Sequence, residues 1–577
     1  MKNLFKYLKS YKLEMILGPL FKLLEASFEL FVPLVVASII DKGIGGTDTP
    51  HTVRMALVLA ALGLVGFICA VSAQFFSAKA ATGFARNLRN ALFEKIQTLG
   101  FTDIDDIGTS TLITRMTSDV NQVQTGTNLT LRLLLRSPFI VFGALIMAFT
   151  IDAGLASIFA VTIAILFAIV FAIMLISIPL YKKNQEKLDK VFLSVKENLA
   201  GARVIRAFCR EEREAGEFRR RNDALYTGQT AVGRFSGLLG PLTYLVINVA
   251  VILLINAGAV KVDSGILTEG QMIALYNYMA QILVELIKLA DLIITITRSL
   301  ACADRIQKVL ADPPFDDRKG ATEAEGDRSF KVAFENVSLR YDSYSENALE
   351  KIDLYVKPGE TIGIIGATGS GKSSLVGMIP RFYPCTEGVV RVDGIDVKTL
   401  DEHELRKKIG FVLQKTELFS GTVRDNVKQG CPEATDEEIT EALRAAQMLD
   451  IVNGKGGLDA PVAERGKNFS GGQRQRLSIA RALVSKPEIL ILDDSSSALD
   501  FATDAALRSA ISSLPYDPTV FIVSQRASSL MHADRIVLLE DGKISACGTH
   551  KELLESSAGY RDIYHLQFSE TGKGGAA

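Results

Sequence analysis

Three short stretches carry residue types that act on phosphate. "GATGSGKSS" sets the pattern G-x-x-x-x-G-K-[ST] at Gly366 to Ser373, after the apolar run "TIGIIG" and before the helix-like "SLVGMI". A strand, a glycine-rich loop and a helix in that order make a phosphate-binding loop. Gly366, Thr368, Gly369, Ser370 and Gly371 let successive backbone N–H groups curl around phosphate oxygens, and the following helix adds its dipole. Lys372 brings a positive charge to the β- and γ-phosphates, Ser373 offers a hydroxyl to Mg2+, and Ser374 continues the row. "EILILDD" is a buried strand ending in Asp493, placed to hold the Mg2+ shell, and Asp494. "FIVSQRAS" is a further apolar strand, closed by Gln525. The chemistry implied is binding of ATP with Mg2+.

The elements that position these residues occupy less than half of the chain. At 577 residues, two or three domains are expected. A content of 48% hydrophobic beside 22% charged residues fits a chain that is part membrane and part soluble. Six apolar stretches reach the ~20 residues needed to cross a bilayer: 15–40, 55–78, 129–151, 153–180, 237–260 and 268–295. Only "IDAG" separates the third from the fourth, which predicts a tight hairpin. The connections at about 80–128 and 181–235 are long, charged and helical in period. The second of them is rich in Lys and Arg, whereas "DKGIGGTDTPHT" and "KVDSGILTEG" are not, so the long connections and both termini are expected in the cytosol. Each connection has length enough for two helical legs and a turn, with tips at 101–123 and 197–212 placed to touch a cytosolic domain. The basic start "MKNLFKYLKSYK" reads as an amphipathic helix on the inner membrane face rather than a signal peptide, because Lys22, Glu25 and Glu29 follow it and no small-residue cleavage site does. The expected division is a transmembrane domain at 1–310, a charged linker at 311–330, an α/β nucleotide domain at 331–568 and a tail at 569–577.

Further residues make the comparison specific. "NFSGGQRQRLSIARAL" (468–483) resembles the signature motif of ABC transporters, with Phe469 in place of the usual Leu. The resemblance gives Tyr341 the role of stacking on adenine and Gln414 that of a glutamine contacting Mg2+ and the membrane domain. "SALD" (497–500), ending in Asp500, is similar to that family's D-loop, and "VAERG" (462–466) to the stretch before the signature in exporters. It implies a multi-domain membrane protein: a six-helix all-α transmembrane domain with long cytosolic helical extensions, then an α/β P-loop NTPase domain. It also implies two nucleotide domains closing head-to-tail over two ATPs, each between one chain's phosphate loop and the other's signature.

In that family the residue after the metal-binding Asp is Glu, which polarises the attacking water, and a His contacts the γ-phosphate. Asp494 is one methylene short, about 1.5 Å, unless the backbone shifts. Gln525 can donate an amide hydrogen bond but cannot carry a proton. The signature residues Ser470, Gly471, Gly472 and Gln473 are intact, and they would serve the partner's site. The pattern resembles the Asp-bearing subunit of bacterial heterodimeric multidrug exporters in the plasma membrane. The alternatives are a homodimer with two slow sites and an ATP-gated regulator or channel.

Ionisable residues inside spans are functional candidates. Glu25, Glu29, Arg132, Arg136, Glu285, Lys288 and Asp291 would line a cavity open to the cytosol for amphipathic drugs or lipids, with Phe28, Phe31, Phe139, Phe142, Tyr276 and Met279 adding apolar surface. The competing reading is that these charges tie helices together. The six Cys and five His are dispersed without metal-ligand spacing. A net charge of −1 gives no case for a nucleic-acid partner.

Overall fold

The computed structural model describes residues 4–46, 48–311, 329–341, 346–495 and 499–569. The chain forms two compact units. One holds the described residues up to Gln97 and from Ser110 to Ala311; the other holds Thr98–Thr109 and the described residues from 329 onward. Most of the expected linker, Ser497 and Ala498 of "SALD", and the tail beyond Ser569 lie outside the described residues.

The first unit is all helix: α1 (Lys12–Ser38), α2 (Thr49–Gln97), then, beyond α3 (Phe101–Ile107) of the other unit, α4 (Thr109–Thr114), α5 (Val120–Leu133), α6 (Arg136–Ile151), α7 (Ala153–Ala200), α8 (Ala202–Ala207), α9 (Glu211–Gly237), α10 (Leu239–Asp263) and α11 (Glu269–Ala311). Among the described residues, five helical stretches are long and apolar enough to cross a membrane. The sixth expected span lies in α11, which is long enough at 43 residues. Gln271, Asn277, Gln281 and Glu285 dilute its apolar run. α2, with 49 residues, is about 70 Å long, far beyond a ~30 Å hydrocarbon core. Small residues let helices approach closely. A Cβ on Gly126 of α5 would lie 2.4 Å from Ser299 Oγ of α11.

Two local expectations change. The span at 129–151 is not one helix, because the chain turns at Leu134 and Leu135 before α6 starts. Pro138 has no N–H to return to the carbonyl four residues earlier, and its ring resists a continuous helix there. The start of the chain is a 3-10 helix, Leu4–Tyr11, whose Leu4 and Leu8 are buried in the unit. Asn87 Nδ2 donates to Tyr7 O at 3.0 Å, fixing the segment on α2. The 151–153 hairpin is tied twice: Asp152 accepts from Leu155 N at 2.7 Å as the cap of α7, and Lys261 Nζ of α10 donates to both its carboxylate oxygens at 2.6 Å.

Among the described residues, the second unit has twelve strands: β1 (Val332–Leu339), β2 (Leu349–Val356), β3 (Thr361–Ile365), β4 (Glu387–Val392), β5 (Ile395–Asp396), β6 (Ile409–Val412), β7 (Gly421–Thr422), β8 (Pro461–Val462), β9 (Ile489–Asp493), β10 (Thr519–Val523), β11 (Arg535–Glu540) and β12 (Lys543–Gly548). The main sheet runs β12-β11-β3-β10-β9-β6, parallel except for β12. β9, between β10 and β6, is buried along its whole length, as an apolar run inside a covered parallel sheet must be. An antiparallel sheet, β2-β1-β4-β5, shares one buried core with a face of the main sheet: Phe334, Ile352 and Val390 cluster with Ile364, Ile491 and Phe521. α3 belongs to this unit through aromatic contact: the Phe101 and Phe382 rings lie 4.4 Å apart and Tyr383 OH donates to Asp105 Oδ2 at 3.3 Å.

Candidate functional site

Sheet order decides which distant residues meet. β3 lies next to β10, and β10 next to β9, with Val523 opposite Asp493. The loops leaving the carboxyl ends of these three strands are therefore neighbours, which is where open parallel sheets bind ligands. They border one cavity of about 330 Å³, lined by Tyr341, Thr368, Gly369, Gly371, Lys372, Ser373, Ser374, Gln414, Asp493, Asp494 and Gln525. Sequence reasoning had singled out all of these. It missed Ala348, which lies in no quoted motif, and it did not single out Val523 and Ser524 within "FIVSQRAS", although all three also line the cavity.

The loop itself has the shape that phosphate requires. Gly371 has φ +96°, and a Cβ there would lie 2.7 Å from Ala348 O. A Cβ on Gly366 would lie 2.2 Å from Leu539 O, so only glycine fits either position. Lys372 Nζ donates to Gly366 O at 3.0 Å and Ala367 O at 2.6 Å, which aims the ammonium along the loop. Burial pulls the Lys372 ammonium below its usual value, and the Asp494 and Asp493 carboxylates oppose that. Ser370 is buried behind the loop and does not face the cavity.

Ser373 Oγ donates to Asp493 Oδ1 at 2.9 Å. Burial pushes the Asp493 carboxyl up; Ser373 offsets part of this and the neighbouring Asp494 adds to it. A buried carboxylate and a hydroxyl held together beside a lysine are the donor set that Mg2+-ATP chemistry uses. Asp493 and Ser373 would hold the ion, and Lys372 with the loop amides would hold the phosphates.

Asp494 sits just past β9 with φ +47°, and its N–H is bonded to Val523 O at 3.0 Å. Gln414 Nε2 approaches Asp494 Oδ2 at 3.4 Å, and Gln525, on the loop after β10, faces the same cavity. Tyr341 is 43% exposed, so its ring is available to a planar base. Its hydroxyl is 2.7 Å from Ser374 Oγ, and Tyr383 stands edge-on to it at 5.0 Å.

The signature residues are elsewhere. Ser470 caps the helix Gly471–Leu483: its Oγ accepts from Gln473 N at 3.3 Å, and Gln473 Oε1 accepts from Ser470 N at 3.1 Å. Ser470 is exposed, and none of Ser470, Gly471, Gly472, Gln473 and Asp500 lines the phosphate-loop cavity. Phe469 is buried at 3% exposure with Lys455 Nζ 5.0 Å from its ring centre, so the ring serves the core of the nucleotide domain.

In the helical unit the expected charges divide. Arg136 and Glu285 are buried and paired at 2.5 Å, Glu29 takes the second guanidinium nitrogen at 2.7 Å, and Ser137 and Lys288 both donate to Glu285 at 2.8 Å. These contacts tie α1, α6 and α11. Glu29, Glu285 and Lys288 also border a cavity of about 360 Å³. Arg132, Arg136, Glu25 and Asp291 do not line it; Glu25 pairs with Lys22 at 2.6 Å and Asp291 is exposed. Met279 is fully buried, while Phe31, Phe139, Phe142 and Tyr276 are exposed on the unit's surface. Nothing in the sequence marked Arg136 as the partner of Glu285, which lies 149 residues away.

Comparison with known proteins extends along the whole chain. The family described as ABC transporter transmembrane region matches residues 15–286, and the family described as ABC transporter matches residues 349–497. A relative from Bacillus subtilis (strain 168), "Uncharacterized ABC transporter ATP-binding protein YfiB", is 36% identical over 573 residues, covering 99% of both chains. An "ATP-dependent lipid A-core flippase" from Desulfotalea psychrophila (strain LSv54 / DSM 12343) is 30% identical over 98% of this chain and 99% of its own. A solved structure described as "Structure of a bacterial Atm1-family ABC exporter with ATP bound" superposes with TM-score 0.81 at 22% identity, over 96% of this chain and 98% of that one.

Proposed function

Since the chain belongs to the ABC transporter family, with an exporter fold and an ATPase domain that drives transport, we propose that it is the degenerate-site half of a heterodimeric exporter. Its own phosphate loop holds Mg2+-ATP and turns it over slowly. Its signature, Ser470 to Gln473, completes a competent site on a different subunit. The cargo is an amphipathic small molecule, a drug or a lipid, moved across a bacterial plasma membrane with both nucleotide domains in the cytosol. ATP binding closes the nucleotide domains, α3 passes that motion to the membrane helices, and hydrolysis in the competent site resets them.

The observation that carries this reading is the pinned position of Asp494. Its N–H is bonded to Val523 O at 3.0 Å, so the backbone does not advance to make up the missing methylene. The site keeps every group that binds phosphate, yet its acid stops short and Gln525 faces the cavity where a His would act.

The test is ATPase activity of this chain alone and with candidate partner half-transporters from the same genome. Activity is expected to be low alone and to rise with one partner. Ser470→Ala should abolish that gain, and Asp494→Asn should barely change it. Full activity of the chain alone, lost on Asp494→Asn, overturns the heterodimer.

A further inference from the structure

The helix Ala558–Ser569 carries Tyr560, Ile563, Tyr564 and Gln567 at the spacing i, i+3, i+4, i+7, which is one face of a helix. The first three hold it to the nucleotide domain. Tyr560 is fully buried with its hydroxyl 2.7 Å from His550 Nδ1, and Ile563 and Tyr564 pack on a cluster that includes Ile365, Ala527 and Leu530. The fourth residue of the face is polar and meets a loop. Gln567 Nε2 donates to Gln525 O at 2.7 Å, and Gln567 Oε1 accepts from Ala527 N at 2.8 Å. One side-chain amide therefore bonds the backbone on both sides of Arg526, in the loop that follows β10. That loop borders the ATP cavity through Ser524 and Gln525. Its entry is tied to β3, since Ser524 N donates to Ile364 O at 3.1 Å. Its exit is tied to Gln567, 42 residues further along the chain from Gln525. A carboxamide suits this position because it sets a donor and an acceptor side by side. A Glu there would turn a carboxylate oxygen on Gln525 O, and a Leu would bond neither group.

We propose that Gln567 is a positioning residue for ATP turnover: it clamps the loop backbone from behind, so that Gln525 keeps its place at the cavity. Gln567 does not itself line the cavity, so it acts through the loop. The inference rests on the reading that this cavity turns over ATP. It is independent of the heterodimer, because the clamp lies within one chain and would act equally beside a second copy of it.

The experiment uses the full chain assembled with its partner, with Ser470→Ala silencing the partner's site so that phosphate release reports this cavity. If the chain proves active alone, the same variants are read on it without Ser470→Ala. Gln567→Leu is expected to lower kcat about tenfold, less than the roughly 10²-fold of a 1 Å misplacement, because Ser524 still holds the other end of the loop. KM for ATP should stay within about twofold, since the phosphate loop and Tyr341 are untouched. Gln567→Glu keeps the acceptor for Ala527 N and loses the donor, so kcat should fall about threefold. In a Gln525→Ala background, Gln567→Leu should have no further effect on kcat. Hydrogen exchange should find the Ala527 N–H protected in the unsubstituted protein and about tenfold faster in Gln567→Leu. An unchanged kcat in Gln567→Leu, an equal fall with and without Gln525, or a rise in KM in place of the fall in kcat overturns the proposal. Exchange of the Ala527 N–H as fast as that of an exposed loop amide overturns it without any variant. If the unsubstituted assembly hydrolyses no ATP at this cavity, the turnover reading fails and takes this inference with it, whereas turnover that ignores Gln567 sinks this inference alone.

Discussion

On the proposed reading, lengthening one side chain should speed turnover in this ATP site. Asp494→Glu adds a methylene, which advances the carboxylate by about 1.5 Å. The backbone cannot absorb the change, because the Asp494 N–H is bonded to Val523 O at 3.0 Å and Asp493 is locked in register with Val523 on β10. A misplacement of about 1 Å costs roughly 10²-fold in rate, or about 2.7 kcal/mol of barrier. The substitution is therefore expected to raise turnover in this site by roughly 10²-fold. One cost runs against it. Asp494 has φ +47°, a region that Asp tolerates better than Glu, and the strain is about 1–2 kcal/mol. That strain is expected to lower Tm slightly without reaching the barrier. The assay needs the partner's site silent, so the background is Ser470→Ala in the assembled pair, and phosphate release is followed with and without Asp494→Glu. Adding Gln525→His should raise the rate further. A pair that still binds ATP and shows no gain from Asp494→Glu would refute the argument that carboxylate reach limits this site.

Three further outcomes are expected. Glu285→Ala strips Arg136 of its buried partner and should cost about 3–5 kcal/mol in denaturation of the detergent-solubilised protein, whereas the apolar pair Arg136→Met with Glu285→Leu should recover most of that loss. Phe101→Ala removes the ring that lies 4.4 Å from Phe382; ATP hydrolysis should persist while cargo moved per ATP falls, since α3 loses its grip on the nucleotide domain. Glu360 is partly buried, which by itself raises its carboxyl, but Arg535 and the Lys357 N–H hold it below the usual carboxylate range. Its folded pKa is depressed, so its contribution is complete above the unfolded value near 4.3 and is lost as pH falls through the lower folded one. Glu360→Gln should therefore destabilise the nucleotide domain by a constant amount from pH 7 to 5, and the two melting curves should converge in stronger acid.

The sequence is most readable where cause and effect lie close along the chain. The phosphate loop is local: a strand, two glycines that tolerate no Cβ, a lysine and a helix within a few residues. The spans at 15–40 and 153–180 are legible for a similar reason, since an apolar run marks the membrane-crossing part of a helix, although α7 continues in polar residues to Ala200. The break before α6 was not read from the sequence, because the continuous hydrophobicity of 129–151 masks Pro138, whose missing N–H disfavours an unbroken helix. The 3-10 start, with Leu4 and Leu8 turned inward, depends on which surface α2 presents to it, and no local pattern encodes that.

Partnership over long distances is the part that sequence withholds. Arg136 alone reads equally as a cavity charge or a tie between helices. Its two carboxylates come from α1 and α11, and only the packed helices show that Glu285 is spent on Arg136, Ser137 and Lys288. Asp494 shows the same division. Its identity gives the missing methylene; its bond to Val523 makes that methylene matter. A free backbone there would let Asp stand in for Glu. On the proposed reading, a pinned one separates a site that binds ATP from one that hydrolyses it, and Ser470 and Gln473, capping their helix away from this cavity, would serve another subunit.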